Sequence, residues 1–600
     1  KEFMTKAKAT LNFSPMVDQY LENCRVYAEN FGFYQQAINS VDPHARFGIE
    51  SPLWPWASRC FDWYAILQNI RLFSPYGLDG DIQTYEYARS FARPGMVLGM
   101  TYGGYTYDGF VRRQETTDLE FQRWRPWNAL LRGFNCVYWY TLGATVESGV
   151  GMGMQPYPAL LTACEQIADI RKGYYTLFRG TKKVYDPVAI HYSVPSNIMA
   201  DYIKDFGKLP WTVHMLIRIL QDYAPFSYEF VSTQQIEKGK LNNYKVLFMP
   251  LSQAVGIREA NEIRKFVENG GIVIADVRPG IFDQHGKFGA NRVMQDLFGI
   301  KYKEVLGREK VPIAVTGNYM GNPFNNKRMN IPVDPSVTLN GAQAALDADG
   351  VPLVVSNKVG KGTAVCLNIP FNNYQYYPTP DTLYFYLADP EYATVIGNIL
   401  KAVFKAHQLD RVLRVDSPDN KWPWGLETWY AVDGQAQYVG LTKRRAAERE
   451  PDSPITVRAP RTGHVYDMFT GRYLGKKMEW QMTVAPADVQ LFSILPYQVT
   501  SLAVRCPRKT VRRGGVVRGE VGVVIGDSRE KPVRHVIHLE VIRPDGGAVR
   551  YLAQNLETKN GSADFSIPLA LNEPSGEYTL IFTDVATRLK KTVKISLSHP

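Results

Sequence analysis

Cysteine is sparse in this chain. Six are spread over 600 residues, at Cys24, Cys60, Cys136, Cys164, Cys366 and Cys506. None forms a CxxC, and no histidine stands beside them at metal-ligand spacing. A zinc site and a disulfide framework are thereby excluded. Cys136 and Cys366 lie inside apolar runs and read as small core residues. No run reaches the ~18–20 apolar residues of a membrane helix, so no membrane span is expected. The net charge is +11, with sixteen Lys/Arg against ten Asp/Glu from Thr500 onward. No nucleic-acid motif accompanies that excess, and the charges are scattered along strands. They read as a solvated basic surface, with no nucleic-acid partner. The glycine-rich Gly149-Val-Gly-Met-Gly-Met lacks the Lys-Ser/Thr of a phosphate loop. His44, His191 and His214 stand alone in core-like or turn contexts. No metal and no cofactor is expected. No signal peptide is visible at the N-terminus. The sequence leaves the compartment open, with an extracytoplasmic (periplasmic or secreted) placement favoured.

The remainder is the composition of a soluble globular protein, 45% hydrophobic and 21% charged, at a length that calls for several domains. Aromatics are high at 12%, which suits both large cores and flat sugar-binding platforms.

Between Ala45 and Ala144, four strand-like runs alternate with helix-like runs: Ala45–Ser51, Ile70–Tyr76, Gly95–Thr101 and Cys136–Leu142. Regular β/α alternation predicts a parallel sheet or a (β/α)8 barrel. A barrel needs eight units and roughly 250 residues. Residues 1–185 are therefore expected to be the second half of one, its first half supplied upstream or by a separate chain.

Residues 186–408 predict a second α/β unit. Val188–Tyr192, Tyr228–Val231, Tyr244–Pro250 and Gly271–Ala275 read as short apolar strands. The helical runs Trp211–Tyr223 and Ile257–Asn269 lie among them. Such strands predict a doubly wound parallel sheet, interrupted by β-rich sequence over 305–370. Beyond it the helical period is lost. Short alternating strands with Gly/Pro/Asp turns predict two β-sandwiches, 409–497 and an immunoglobulin-like 498–600.

This order, with Tyr244-Lys-Val-Leu-Phe-Met-Pro, Arg264-Lys-Phe-Val-Glu-Asn-Gly-Gly-Ile-Val-Ile-Ala275 and Ile281-Phe-Asp-Gln-His-Gly286, resembles the family-42 glycoside hydrolases. These are trimeric β-galactosidase-like enzymes. The second domain looks like the family's trimerisation domain, itself similar to class I glutamine amidotransferases. Those place a nucleophilic cysteine after the middle strand. Here that stretch reads Pro250-Leu-Ser-Gln253, which implies a structural, flavodoxin-like oligomerisation domain. Trp124 to Tyr140 resembles the family's seventh helix and eighth strand. Asp467-Met-Phe-Thr-Gly-Arg-Tyr-Leu-Gly and Asp488–Ser493 resemble its closing β-domain. The implied fold is α/β plus β. The implied activity is hydrolysis of a β-linked glycan, β-galactosidase-like, by a homotrimer acting on an oligo- or polysaccharide. The family's acid/base carboxylate ends the fourth barrel strand, expected upstream of Lys1. Its nucleophile ends the seventh, which here reads Leu98-Gly-Met-Thr-Tyr-Gly-Gly104 without a carboxylate. A catalytically inactive glycan-binding or surface-assembly protein on the same scaffold is the alternative.

Barrel sites form where strand C-termini open, so carboxylates there are the candidate acids and nucleophiles. Glu50 ends the first visible strand and Glu147 follows the fourth; both are candidate catalytic residues. Asp108, Glu115, Asp118 and Glu120 lie in the loop after the third. Each can equally pair with an Arg or cap a helix. Tyr102, Tyr105, Trp127, Trp139 and Tyr140 are candidate substrate-binding aromatics, with core packing as the competing role. Trp139 and Tyr140 point to opposite faces of one strand, so only one faces the barrel interior.

Overall fold

The protein is described from a computed structural model. It covers all residues except 1, 52–58, 60, 76–81, 103–118, 140–145, 148–154, 157, 204–206, 208, 290–291, 303–308, 320–321, 349, 372–389, 419–421, 444–451, 527–529 and 599–600. The chain folds as two compact units. One comprises 1–102, 136–139 and 185–411; the other comprises 103–135, 140–184 and 412–600.

The first unit begins with two helices, the second of which, α1 (Ser14–Val41), carries Pro15 in its first turn, where a missing N–H costs nothing. Val17, Cys24, Ala28, Gly32 and Gln35 form its buried stripe. At Gly32 an added Cβ would stand 2.6 Å from the side-chain oxygen of Asn69. Glycine is therefore what lets α1 approach α2 (Trp63–Asn69) closely. Asp62 caps α2 by accepting the Ala65 N–H at 3.2 Å, an interaction worth about 1 kcal/mol. Burial raises the Asp62 carboxyl to about 6, against the pull of its backbone donors.

Four short strands follow: β1 (Gly48–Ser51), β2 (Leu72–Pro75), β3 (Val97–Tyr102) and β4 (Cys136–Trp139). They pair in chain order, all parallel, into one sheet with β1 and β4 at its edges. Trp63 of α2 packs on Phe73 of β2, ring centroids 4.9 Å apart. The helix α3 (Ile82–Phe91) contributes Tyr87 and Phe91, both buried.

The remainder of this unit is built on a nine-stranded sheet. Its parallel part holds β5 (Val188–Tyr192), β6 (Glu229–Ser232), β7 (Val246–Met249), β8 (Ile272–Ala275) and, further along the chain, β13 (Gly362–Leu367), in the order β13-β8-β7-β5-β6. All residues of β5, β7, β8 and β13 are buried. That is why these strands read as continuous apolar runs rather than alternating ones. The sequence predicts β-rich residues interrupting a parallel sheet. Instead, β9 (Glu309–Tyr319), β10 (Asn322–Val333), β11 (Gln343–Ala348) and β12 (Val351–Val359) extend it, antiparallel, in the order β10-β9-β11-β12-β13. The sheet is mixed because β13 pairs parallel to β8 on one side and antiparallel to β12 on the other.

In the second unit, helices Leu119–Arg132 and Pro158–Asp169 accompany a seven-stranded sheet drawn mainly from 414–495, to which Lys182–Lys183 adds a short strand. Beyond it, a three-stranded and a five-stranded sheet share one core. Leu502, Val517 and Phe565 supply one side of that core; Leu539, Tyr578 and Ile595 supply the other.

Candidate functional site

Three places collect chemistry-bearing side chains. The first is the four-stranded sheet. Phe73 faces the helices, so its neighbour Ser74 faces the opposite side. Glu50 is in register with Ser74 and is exposed. A Cβ built on Gly99 would lie 2.7 Å from the Tyr138 ring and 3.0 Å from the Ser74 Cβ. Tyr138 thus lies across Gly99 on the Glu50 side of the sheet. Its phenol is raised above the ordinary value by burial first, then by the nearby Cys136 and Glu50. Sequence reasoning missed Tyr138 and favoured its neighbours. The signal for it was alternation along β4, but choosing the face needed the pairing with β3.

The other candidates scatter. Tyr102 and Trp139 end β3 and β4 as register partners. Glu147 lies on a two-residue strand, Val146–Glu147, paired with Gln155–Pro156. Tyr105, Tyr140, Asp108, Glu115 and Asp118 fall outside the described residues. Glu120 belongs to the helix Leu119–Arg132 and not to a loop. Trp127 sits on that same helix, 3% exposed, in a core with Tyr174 and Leu177. Its ring meets Tyr174 and Phe469 edge-on, each at 5.0 Å, and its indole N–H donates to Gln166 at 2.9 Å. Trp127 is packed in this core and also lines a cavity in the second unit.

The second place is the carboxyl end of the parallel strands. Leu251, just past β7, holds φ at 40°, and its N–H donates to the Asp276 carboxylate at 2.5 Å. The next residue, Ser252, has its Oγ 2.9 Å from His191 Nδ1. His191 Nε2 lies 2.7 Å from Glu259 Oε1, but off the hydrogen-bond axis; Thr233 Oγ1 is a longer partner at 3.4 Å. Ser, His and Glu in that order of contact are the members of an acyl-transfer triad. Here all three are about 1% exposed, and Ala254, Val255, Ile281 and Phe282 are buried as well. No substrate reaches them, and the group joins β5, β7 and the helix Ile257–Glu268 instead. Asp276 is likewise buried, and burial pushes it to about 7 despite the backbone N–H groups of Leu251 and Phe371. His214 is also buried and lowered to about 3, by burial first and then by Arg218. His44 stands exposed in a turn, its own N–H donated to the Asp42 carboxylate at 2.8 Å.

The third place is a cavity of about 560 Å³ in the second unit, with Trp127, Tyr174 and Phe469 at its apolar wall. Among the described residues no group of three or more His, Cys, Asp or Glu could hold a metal ion. The five described cysteines are free. No described helix is long and apolar enough to cross a membrane.

With this geometry in hand, the likenesses to known proteins are specific. The profile of the β-galactosidase trimerisation domain matches residues 223–377, which run from just before β6 to just past β13. A β-galactosidase of Geobacillus kaustophilus is 26% identical over 182 residues, 29% of this chain and 24% of that protein. The chain therefore spans about a quarter of the length of the curated relatives it matches. The β-galactosidase structure from Bacillus circulans sp. alkalophilus superposes with a TM-score of 0.57 at 14% identity, over 78% of this chain and 66% of that one. That from Rahnella sp. R3 gives 0.57 at 16%, over 80% and 68%. A GH42 β-galactosidase from G. stearothermophilus gives 0.55 at 14%, over 76% and 65%. The chain thus resembles the family-42 glycoside hydrolases in its α/β plus β fold, and its residues 223–377 match the β-galactosidase trimerisation domain.

Proposed function

We propose that this chain is part of a glycoside hydrolase acting on a β-linked glycan, β-galactosidase-like, without a cofactor. The observation that carries it is a trimerisation-domain match set within a fold that β-galactosidases share over about four fifths of the chain. In this reading β1 to β4 are the last four strands of a (β/α)8 barrel. The domains run 1–185, 186–408, 409–497 and 498–600: half-barrel, flavodoxin-like oligomerisation domain and two β-sandwiches. The edges at β1 and β4, which have no further strand partner among the described residues, support it, as does the apolar side of α1. Phe33, Tyr34, Ile38 and Val41 are exposed there, Val41 at 89%. Edges and faces of this kind are a liability unless further strands and helices cover them. The first half of the barrel, on the same polypeptide or another, would cover both.

Within that barrel, the face carrying Glu50, Ser74 and Tyr138 is the interior one, and Glu50 is the candidate catalytic carboxylate. A retaining mechanism needs two carboxyl groups about 5–5.5 Å apart. The second is assigned to the missing strands. The strand-end sequence Thr101-Tyr-Gly-Gly104 has no carboxylate, which favours a glycan-binding scaffold as the second reading. Assay of the full-length gene product on a panel of nitrophenyl β-glycosides decides between them. Turnover supports the enzyme. Saturable glycan binding without turnover of any member supports the scaffold and ends the enzymatic reading.

A further inference from the structure

We propose that the cavity beside Trp127 is a second saccharide site, separate from Glu50, and that it takes a short acidic saccharide bearing a carboxylate or sulfate. The sugar in this proposal rests on the glycan reading above; the negative charge rests on the cavity itself. Its volume, about 560 Å³, falls in the range of small-molecule sites. One wall is apolar and aromatic: Phe469, half-buried, stands edge-on to Trp127 with Tyr174 behind it.

The polar lining is unevenly satisfied. Lys172 is neutralised by Asp169 at 2.9 Å. Asp488 is engaged by the Val489 N–H at 2.8 Å and the Gln490 amide at 2.7 Å. Two guanidiniums remain. Arg123 is exposed and makes no ion pair or hydrogen bond to a described side chain. Arg588 lies over the Tyr174 ring, 6.0 Å from its centroid, and has no carboxylate partner among the described residues. Two unpaired guanidiniums in one cavity are matched to planar, bidentate anions.

Backbone conformation decides the choice of variant at Arg588. Arg588 holds φ at 61° and Ala487 at 57°. Glycine would adopt either without strain. Arginine at such a position costs conformational energy that glycine does not.

The test is calorimetric titration of the complete protein with trigalacturonate, and with neutral galactotriose as control. Trigalacturonate is expected to bind saturably and at least ten-fold more tightly than galactotriose, and to weaken several-fold between about 50 and 500 mM NaCl. Arg123→Ala and Arg588→Gly should each weaken it at least ten-fold. Arg588→Gly relieves the strained backbone, so its melting temperature should not fall, and lost binding cannot be laid to unfolding. Equal affinity for the two sugars, no saturation at millimolar trigalacturonate, inorganic sulfate binding as tightly, or unchanged binding by both variants would overturn the proposal. Because the readout is binding, a protein that hydrolyses no nitrophenyl glycoside still passes or fails it.

Discussion

At the scale of single residues, three acidic groups behave in two ways. Glu50 is exposed on an otherwise lined sheet face, so replacing it should leave the fold intact. Glu50→Gln is expected to reduce turnover of the full-length protein by ~10²–10⁴-fold with little change in melting temperature. A drop in melting temperature at constant rate per folded molecule would make it a structural ion-pair partner instead. Asp62 and Asp276 are buried, and both carboxyls are raised, to about 6 and about 7. The folded state therefore holds their protons more tightly than the unfolded chain does. Their contribution to stability is complete below the ordinary carboxyl range and is lost as pH rises through 6 to 7. Each group should remove at most about 1.4 kcal/mol of unfolding free energy per pH unit as pH rises toward its folded value, against the opposite trend of buried His214, whose lowered value adds stability as pH rises. The difference in unfolding free energy between the parent and Asp276→Asn, measured in urea, should shift in favour of the variant from pH 5 to pH 8, and a pH-independent difference would contradict the assignment.

At the scale of elements, what the sequence revealed depended on how local the cause was. β5, β7 and β8 were legible because a strand buried on both faces is an apolar run in its own right. Val17 to Ile38 reads as one long amphipathic helix, and it lies within α1. Residues 305–370 were read as an interruption, since nothing local tells a strand which neighbour it will pair with. The same gap hid Tyr138, whose face is set by its approach to Gly99 on another strand. It also hid the cavity cations, Arg123 and Arg588, brought together from opposite ends of the sequence. Trp127 was ambiguous because its aromatic character suits a platform and a core equally. The α1–α2 contact offers a test at this scale. Gly32→Val would press a branched side chain onto Asn69, where even a Cβ stands at 2.6 Å. A loss of ~1–3 kcal/mol by chemical denaturation is expected, and an unchanged midpoint would mean that α2 moves aside freely.

At the scale of the whole molecule, the profile match over 223–377 leads to an assembly expectation. The complete protein should run as a trimer in light scattering at micromolar concentration, and a monomer there would remove the oligomerisation role proposed for residues 186–408. The nine-stranded sheet also carries a consequence for the order of events during synthesis. β13 is late in sequence yet lies inside the sheet, joining β8 to β12. Until Gly362–Leu367 emerges, β8 has only β7 beside it, and the antiparallel strands have nothing to attach them to the parallel ones. Some ninety residues must be held in waiting, a loop whose closure entropy is overcome only when the last strand inserts. The nascent chain thus passes through a long interval with an open apolar edge, and holding that edge safe falls to whatever meets it at the ribosome.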